Sequence, residues 1–202
     1  MSSTESISSW RAPAAVSLHD RILEAAGQLM ADEGVDALRL ERVARLAGCS
    51  RSSLYRYFDT KDALIIAVLR QRVAQMASRI RILLEGAKTP AEKIVQGVVR
   101  AVELARNDPQ FVVMFAAPNS PTVMRIAASA LPELITPVID SILPEEGEES
   151  WFPESVPVAE AARWLVTVVI GLVTFDVERA LDREALERHL ERFLVPSLLC
   201  AR

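Results

Sequence analysis

Arg39, Arg51, Ser52, Ser53, Tyr55, Arg56, Tyr57 and Lys61 all fall between positions 39 and 61 of a 202-residue chain. Their chemistry is that of hydrogen-bond donors and fixed positive charge. Arginine forks pair bidentately with phosphate or with a guanine edge, serine hydroxyls are small enough to let a backbone approach its target, and tyrosine hydroxyls and a lysine ammonium reach anionic oxygens. Six basic and two acidic residues stand between Arg39 and Lys61, whereas the whole chain carries a net charge of -4. A basic face on an acidic body points to one localised anionic partner and not to general adhesion.

Bond-breaking chemistry finds little support in the same residue types. His19 and His189 are the only histidines, and both are expected on the surface. There is no phosphate-loop glycine pattern, paired-cysteine metal site or nucleophile elbow, so no catalytic residue, metal or cofactor is assigned. Cys49 and Cys200 lie far apart, and no disulfide framework is expected; with a polar, serine-rich start, this favours a reduced, cytoplasmic setting. The most apolar run, Trp164 to Phe175, is too short for the roughly 20 residues a bilayer crossing needs, and no membrane partner is expected.

The elements that must position the basic residues are helices. Ile22, Ala25, Ala26 and Leu29 make one apolar stripe after Ser17 and Asp20, a capping pattern that starts a helix near Leu18, which Gly34 stops at Glu33. A second helix is expected over about Leu40–Ala47, with Gly48 at its end and Asp36 an alternative cap in place of Arg39. A third follows from Ser50 to about Phe58. Leu54 and Phe58 fall on the buried side of that third helix, which leaves Ser52, Ser53 and Arg56 outward between Tyr55 and Tyr57. Two short helices joined by a glycine turn form a helix-turn-helix, whose second helix fits the major groove of B-DNA.

Beyond Lys61 the pattern stays helical. One helix continues through Leu84, and another opens with Thr89 and Pro90. Pro118, Pro121, Pro132 and Pro137 predict short or kinked helices between 109 and 143, and an acidic, proline-bounded loop follows at 144–157. Two long helices are expected over about Val158–Ala180 and Arg183–Leu199, the latter with Leu186, Leu190, Phe193 and Leu194 on one stripe. With no strand alternation, the fold class is all-α: an N-terminal three-helix unit at 17–62, a larger helical bundle at 63–202, a disordered tail at 1–16, and about nine helices in all.

The stretch from Arg21 to Leu69 resembles the DNA-binding domain of the TetR family of bacterial one-component regulators. The resemblance rests on Gly34, Val43-Ala44, Ala47-Gly48, Ser50, Leu54-Tyr55, Tyr57-Phe58, Lys61 and Leu64. Arg39 departs from it, standing where the family usually begins its second helix with threonine, and Cys49 stands where a valine is frequent. The resemblance implies a C-terminal domain that binds a small-molecule effector and a homodimer built through the last two long helices, reading a palindromic double-stranded DNA operator. Phe111, Met114, Phe115, Met124, Ile135, Trp164 and Val168 are the expected ligand-pocket residues. Arg125, Arg163 and Thr167 interrupt apolar runs and suggest an elongated apolar ligand with an acidic head. The alternative is an effector-independent DNA-binding or architectural protein, which predicts a filled core.

Overall fold

A computed structural model describes residues 16–84, 86–109, 111–112, 121–140, 152–153, 156–175 and 181–199. Among them the elements are α1 (Leu18–Glu33), a 3₁₀ turn (Val35–Ala37), α2 (Leu40–Leu46), α3 (Arg51–Tyr55), α4 (Lys61–Leu84), α5 (Pro90–Arg106), α6 (Pro121–Asp140), α7 (Val158–Phe175), α8 (Arg183–Phe193) and α9 (Val195–Leu198). The described residues contain no strand.

Local chemistry starts and stops these helices. The Ser17 hydroxyl accepts the Asp20 N–H at 3.1 Å and donates to the Asp20 carboxylate at 2.7 Å, a bond that holds that carboxyl below its ordinary range. Thr89 and Glu92 form a reciprocal capping box at the start of α5, and Asp182 caps α8. Helix α2 ends in a pair of bonds, Gly48 N–H to Arg45 carbonyl at 3.2 Å and Cys49 N–H to Ala44 carbonyl at 2.9 Å. That is a Schellman motif, and it needs the positive φ of 65° that Gly48 supplies. Gly34 is stricter, because its φ of 82° with ψ of 163° lies in a region open almost only to glycine.

The core runs without a break from Ile22 in α1 to Leu198 in α9. Ile22, Ala26 and Met30 on α1, Leu38 and Val43 around α2, Leu54 on α3, and Leu64, Ile65 and Leu69 on α4 are almost wholly buried. Val43 and Ala44 let α2 lie close to its neighbours, and Arg42 ties α2 to the end of α1 through a two-bond fork to Glu33, at 2.6 and 2.5 Å. Arg42 holds the Glu33 carboxyl below its usual range. Leu54 and Phe58 are buried as the periodicity requires, but regular helix stops at Tyr55 and the chain reaches Phe58 through a tight turn. At the end of α2 it is Ala47 that is buried, and Leu46 faces solvent.

Two proline expectations are corrected. Helix α6 is continuous through Pro132 and Pro137. An interior proline costs about 3 kcal/mol relative to alanine, and here packing of α6 on α4 and α7, with Ile126, Leu131 and Ile139 buried, outweighs it. The Thr136 hydroxyl also donates to the Pro132 carbonyl at 2.8 Å, and the Ser129 hydroxyl to the Arg125 and Ile126 carbonyls at 3.2 and 3.1 Å, adding side-chain bonds along this stretch. The last helix, by contrast, is not one piece: it breaks at Leu194, and a short turn of helix containing Pro196 follows. The remainder of the stretch expected to carry α7 to Ala180, like the 144–151 part of the acidic loop, lies outside the described residues.

Gly34→Ala should lower stability by about 1–3 kcal/mol, and Gly48→Asn by less, since asparagine tolerates the left-handed region. A β-carbon added at either position would meet no neighbour within 4 Å, so backbone strain alone is tested. Urea unfolding with equal losses for the two variants would contradict the distinction.

Candidate functional site

The basic face is assembled by three short-range devices. Ser50 caps α3 by accepting the Ser53 N–H at 3.0 Å, and its hydroxyl also lies 2.9 Å from Ser52 Oγ and 2.8 Å from Ser53 Oγ. This fixes the first turn of α3 with Arg51 and Ser52 fully outward. Arg51 then turns toward α2, where its Nη2 lies 3.1 Å from Glu41 Oε1, and it sits 5.3 Å from the centre of the Tyr55 ring. The Tyr55 hydroxyl first, and the Glu41 carboxylate after it, hold this guanidinium more firmly charged.

Arg39 and Lys61, from opposite ends of the unit, meet at one backbone oxygen. Arg39 is the N-cap residue of α2, and its side chain makes no capping bond. Its Nη1 instead folds back and donates to the Asp36 carbonyl at 2.6 Å and the Leu38 carbonyl at 3.1 Å. Lys61 Nζ reaches the same Asp36 carbonyl at 3.4 Å. Two cations on one neutral acceptor repel each other, and an arriving phosphate would relieve that repulsion. Beside them, Tyr57 is 49 % exposed and packs on His19 and Phe58, with ring centres 5.9 and 6.4 Å away. The expectation that His19 lies on the open surface is therefore only half met: it is half-buried in this ring cluster.

A cavity of about 160 Å³ lies among the later helices. Val73, Met76, Ala77, Ile80 and Leu84 of α4 form one wall, and Ile94, Gly97, Val98 and Ala101 of α5 another. Leu131, Ile135, Val138 and Ile139 of α6, Leu165, Val166, Val169 and Ile170 of α7, and Phe111 and Phe152 complete it. Lys93 is the only ionisable residue among these described lining residues.

Residues 22–68 match the family model described as "Bacterial regulatory proteins, tetR family". The chain is 27% identical over 177 residues, 88% of its length and 83% of the relative's, to the HTH-type transcriptional regulator Rv1255c of Mycobacterium tuberculosis (strain ATCC 25618 / H37Rv). It is 35% identical over 94 residues, 46% of this chain and 44% of the other, to the HTH-type transcriptional regulator RutR of Escherichia coli (strain K12). By these matches the chain is similar to HTH-type transcriptional regulators of the tetR family. Solved structures share its fold: a tetR-family regulator from Shewanella sp. PV-4 (TM-score 0.60, 19% identity, covering 92% of this chain and 100% of that one), and FadR of Bacillus subtilis in complex with stearoyl-CoA (TM-score 0.53, 19% identity, 88% and 98%).

The eight residues expected to contact DNA fall into two groups in the structure. Arg51, Ser52, Arg56 and Tyr57 are exposed on or just after α3, Ser53 and Tyr55 are half-buried beside them, and Arg39 and Lys61 converge at Asp36. What the sequence reading missed is Glu41, which occupies Arg51 in the free protein.

The expected pocket residues divide. Phe111 and Ile135 line the cavity. Met114 and Phe115, and the side chain of Met124, lie outside the described residues. Arg125, Arg163, Trp164 and Thr167 are turned away from the cavity, and the inference from buried arginines is corrected. Arg125 is exposed and pairs with Asp62 at 2.7 Å, Arg163 and Thr167 share the outer face of α7, and Trp164 donates to Ser197 Oγ at 3.0 Å. Val168 is half-buried but also off the cavity. A signal for this exists in the sequence: Arg163 and Thr167 are four residues apart, so both mark the solvent side of a helix whose opposite face, Leu165, Val166, Val169 and Ile170, is inward.

Removing Arg39 and Lys61 together should reduce the slope of log affinity for DNA against log salt by about 0.9 for each phosphate no longer neutralised, in a fluorescence-anisotropy titration. Glu41→Gln should act oppositely and tighten DNA binding, because it frees Arg51 and removes a negative charge from the face. An unchanged slope for the double variant would refute the assignment of those cations to phosphate.

Proposed function

We propose that this regulator is a repressor, released from a palindromic operator when a small apolar or amphipathic effector enters the cavity between α4, α5, α6 and α7. The observation that carries the reading is that α4 serves both sites. Its first residue, Lys61, belongs to the basic face, and its last three turns, from Val73 to Leu84, wall the cavity. An effector that binds one arrangement of α4 better than another shifts the population of arrangements, and by linkage changes the affinity for DNA. A filled core, which the effector-independent alternative requires, does not agree with the cavity. FadR of Bacillus subtilis, solved in complex with stearoyl-CoA, supports an apolar effector by analogy of fold.

Dimerisation through α7 and α8 is part of the same proposal. Leu186, Leu190 and Leu194 are buried within the chain, so that stripe serves the chain's own core. Trp164 and Phe193 remain 45 % and 61 % exposed on those helices, with His189 stacked on Phe193 at 4.9 Å between ring centres. Large exposed rings on neighbouring helices suit a partner copy, and a dimer spaces two reading helices one groove turn apart, ~34–36 Å.

The deciding experiment uses DNA from upstream of the protein's own gene. Organic extracts of the host cell should release wild-type protein from that DNA, whereas Gly97→Leu, which grows a side chain into the cavity beside Leu84, should respond at least tenfold less. Release of both at the same extract concentration would remove the cavity from the mechanism. Phe193→Glu should give a monomer by light scattering with folded helices by circular dichroism, and a dimeric variant would displace the interface from α8.

A further inference from the structure

Glu41 stands in the first turn of α2 and Arg51 is the first residue of α3, so contact between them closes the helix-turn-helix across its two helix starts. Arg51 Nη2 lies 3.1 Å from Glu41 Oε1 and 3.5 Å from the Tyr55 hydroxyl, and the guanidinium carbon is 5.3 Å from the centre of the Tyr55 ring. A guanidinium carries five N–H donors in one rigid plane. Both contacts use Nη2, which leaves the donors on Nη1 and Nε for an incoming partner. Tyr55, one turn further along α3, limits how that plane can rotate.

The side chains of Arg51 and Glu41 are 67 % and 52 % exposed, so their pairing adds little to stability. Its consequence lies in what can approach. Arg39 and Lys61 rest on a neutral carbonyl oxygen, whereas Arg51 rests on a carboxylate. A phosphate arriving at Arg51 would bring its negative charge beside Glu41, and like charges a few ångströms apart repel. A guanine edge presents N7 and O6, two neutral acceptors that a guanidinium matches bidentately. It takes up the remaining donors without adding charge next to Glu41.

Resting on the assignment of the α3 face to DNA, we propose that Glu41 is a positioning residue that makes Arg51 a reader of guanine in the major groove and not a phosphate clamp. Each half-site of the operator then contains one G·C pair whose recognition depends on Glu41. The carboxylate adds no affinity. It weakens binding to DNA of any sequence and weakens it least where that guanine stands, so specificity is gained through a repulsive element.

Selection of duplexes from a random-sequence library by the full-length protein, followed by anisotropy titrations at several salt concentrations, tests this. Wild type should select one G·C pair in each half-site, and its replacement by A·T in one half-site should weaken binding about tenfold. Arg51→Ala should lose the preference at that pair, which identifies it as the pair that Arg51 reads. Glu41→Gln, nearly identical in shape, should lower the discrimination there to below about threefold. It should bind an unrelated duplex more tightly than wild type does, with a salt slope steeper by about 0.9 for each Arg51 that takes up a phosphate. Glu41→Ala should behave in the same way, and tight binding to the unrelated duplex shows that either variant is folded. Unchanged discrimination or an unchanged salt slope in both variants overturns the role of Glu41 and leaves the DNA face standing. Weaker binding of both to the unrelated duplex overturns the repulsion. If wild type selects no sequence, or if Arg51→Ala binds every duplex as wild type does, the assignment of α3 to DNA falls as well.

Discussion

The structure depends on α4, which buries one face over its first half and lines the cavity over its second. The helix has 24 residues, about 36 Å, and Leu64, Ile65, Val68, Leu69, Val73 and Leu84 are buried along it. Its first half locks onto α1 and carries Lys61 to the basic face; its second half packs on α5 and α6 and walls the cavity. In the proposed mechanism, a change in packing at Leu84 or Val73 would reach Lys61 as a shift of one rigid element. The Asp62 to Arg125 pair adds a second strut, from the first turn of α4 to α6. Being exposed, it contributes little stability.

Polar contacts on the basic face hold its cations against neighbouring acceptors. Arg51 rests on Glu41 and Tyr55, while Arg39 and Lys61 share the Asp36 carbonyl. These contacts are exposed, and in the proposed complex phosphate would replace those at the Asp36 carbonyl. Arg42 differs, since its fork to Glu33 joins α1 to α2 and holds the scaffold on which the reading helix sits. Charge and recognition are thus divided among arginines that look alike in the sequence.

Legibility in the sequence follows the range of the physics. Ser17, Ser50, Thr89, Gly34 and Gly48 act within a few residues, so the starts of α1, α3 and α5 and the stops of α1 and α2 can be read directly. The continuity of α6 through Pro132 and Pro137 cannot, because it is settled by packing against helices distant in the chain. Pro196 is the opposite case, a local breaker whose signal stands in the sequence inside a stretch expected to be one helix. For α7, apolar residues on nearly every side leave the helix phase open, and the size of Trp164 suggests a pocket where Arg163 and Thr167 already mark the outer face.

The proposed link between cavity and basic face through α4 is tested most directly by reciprocity. Affinity for 1-decanol, a small amphipathic probe of the cavity, should be measured by calorimetry for the free protein and for the protein saturated with its upstream DNA. If the two sites are coupled, DNA must weaken decanol binding by the same factor by which decanol weakens DNA binding, a fold-change of about 5 to 150 for typical allosteric proteins. Equal decanol affinity in the two states would contradict the coupling, whatever either ligand binds alone.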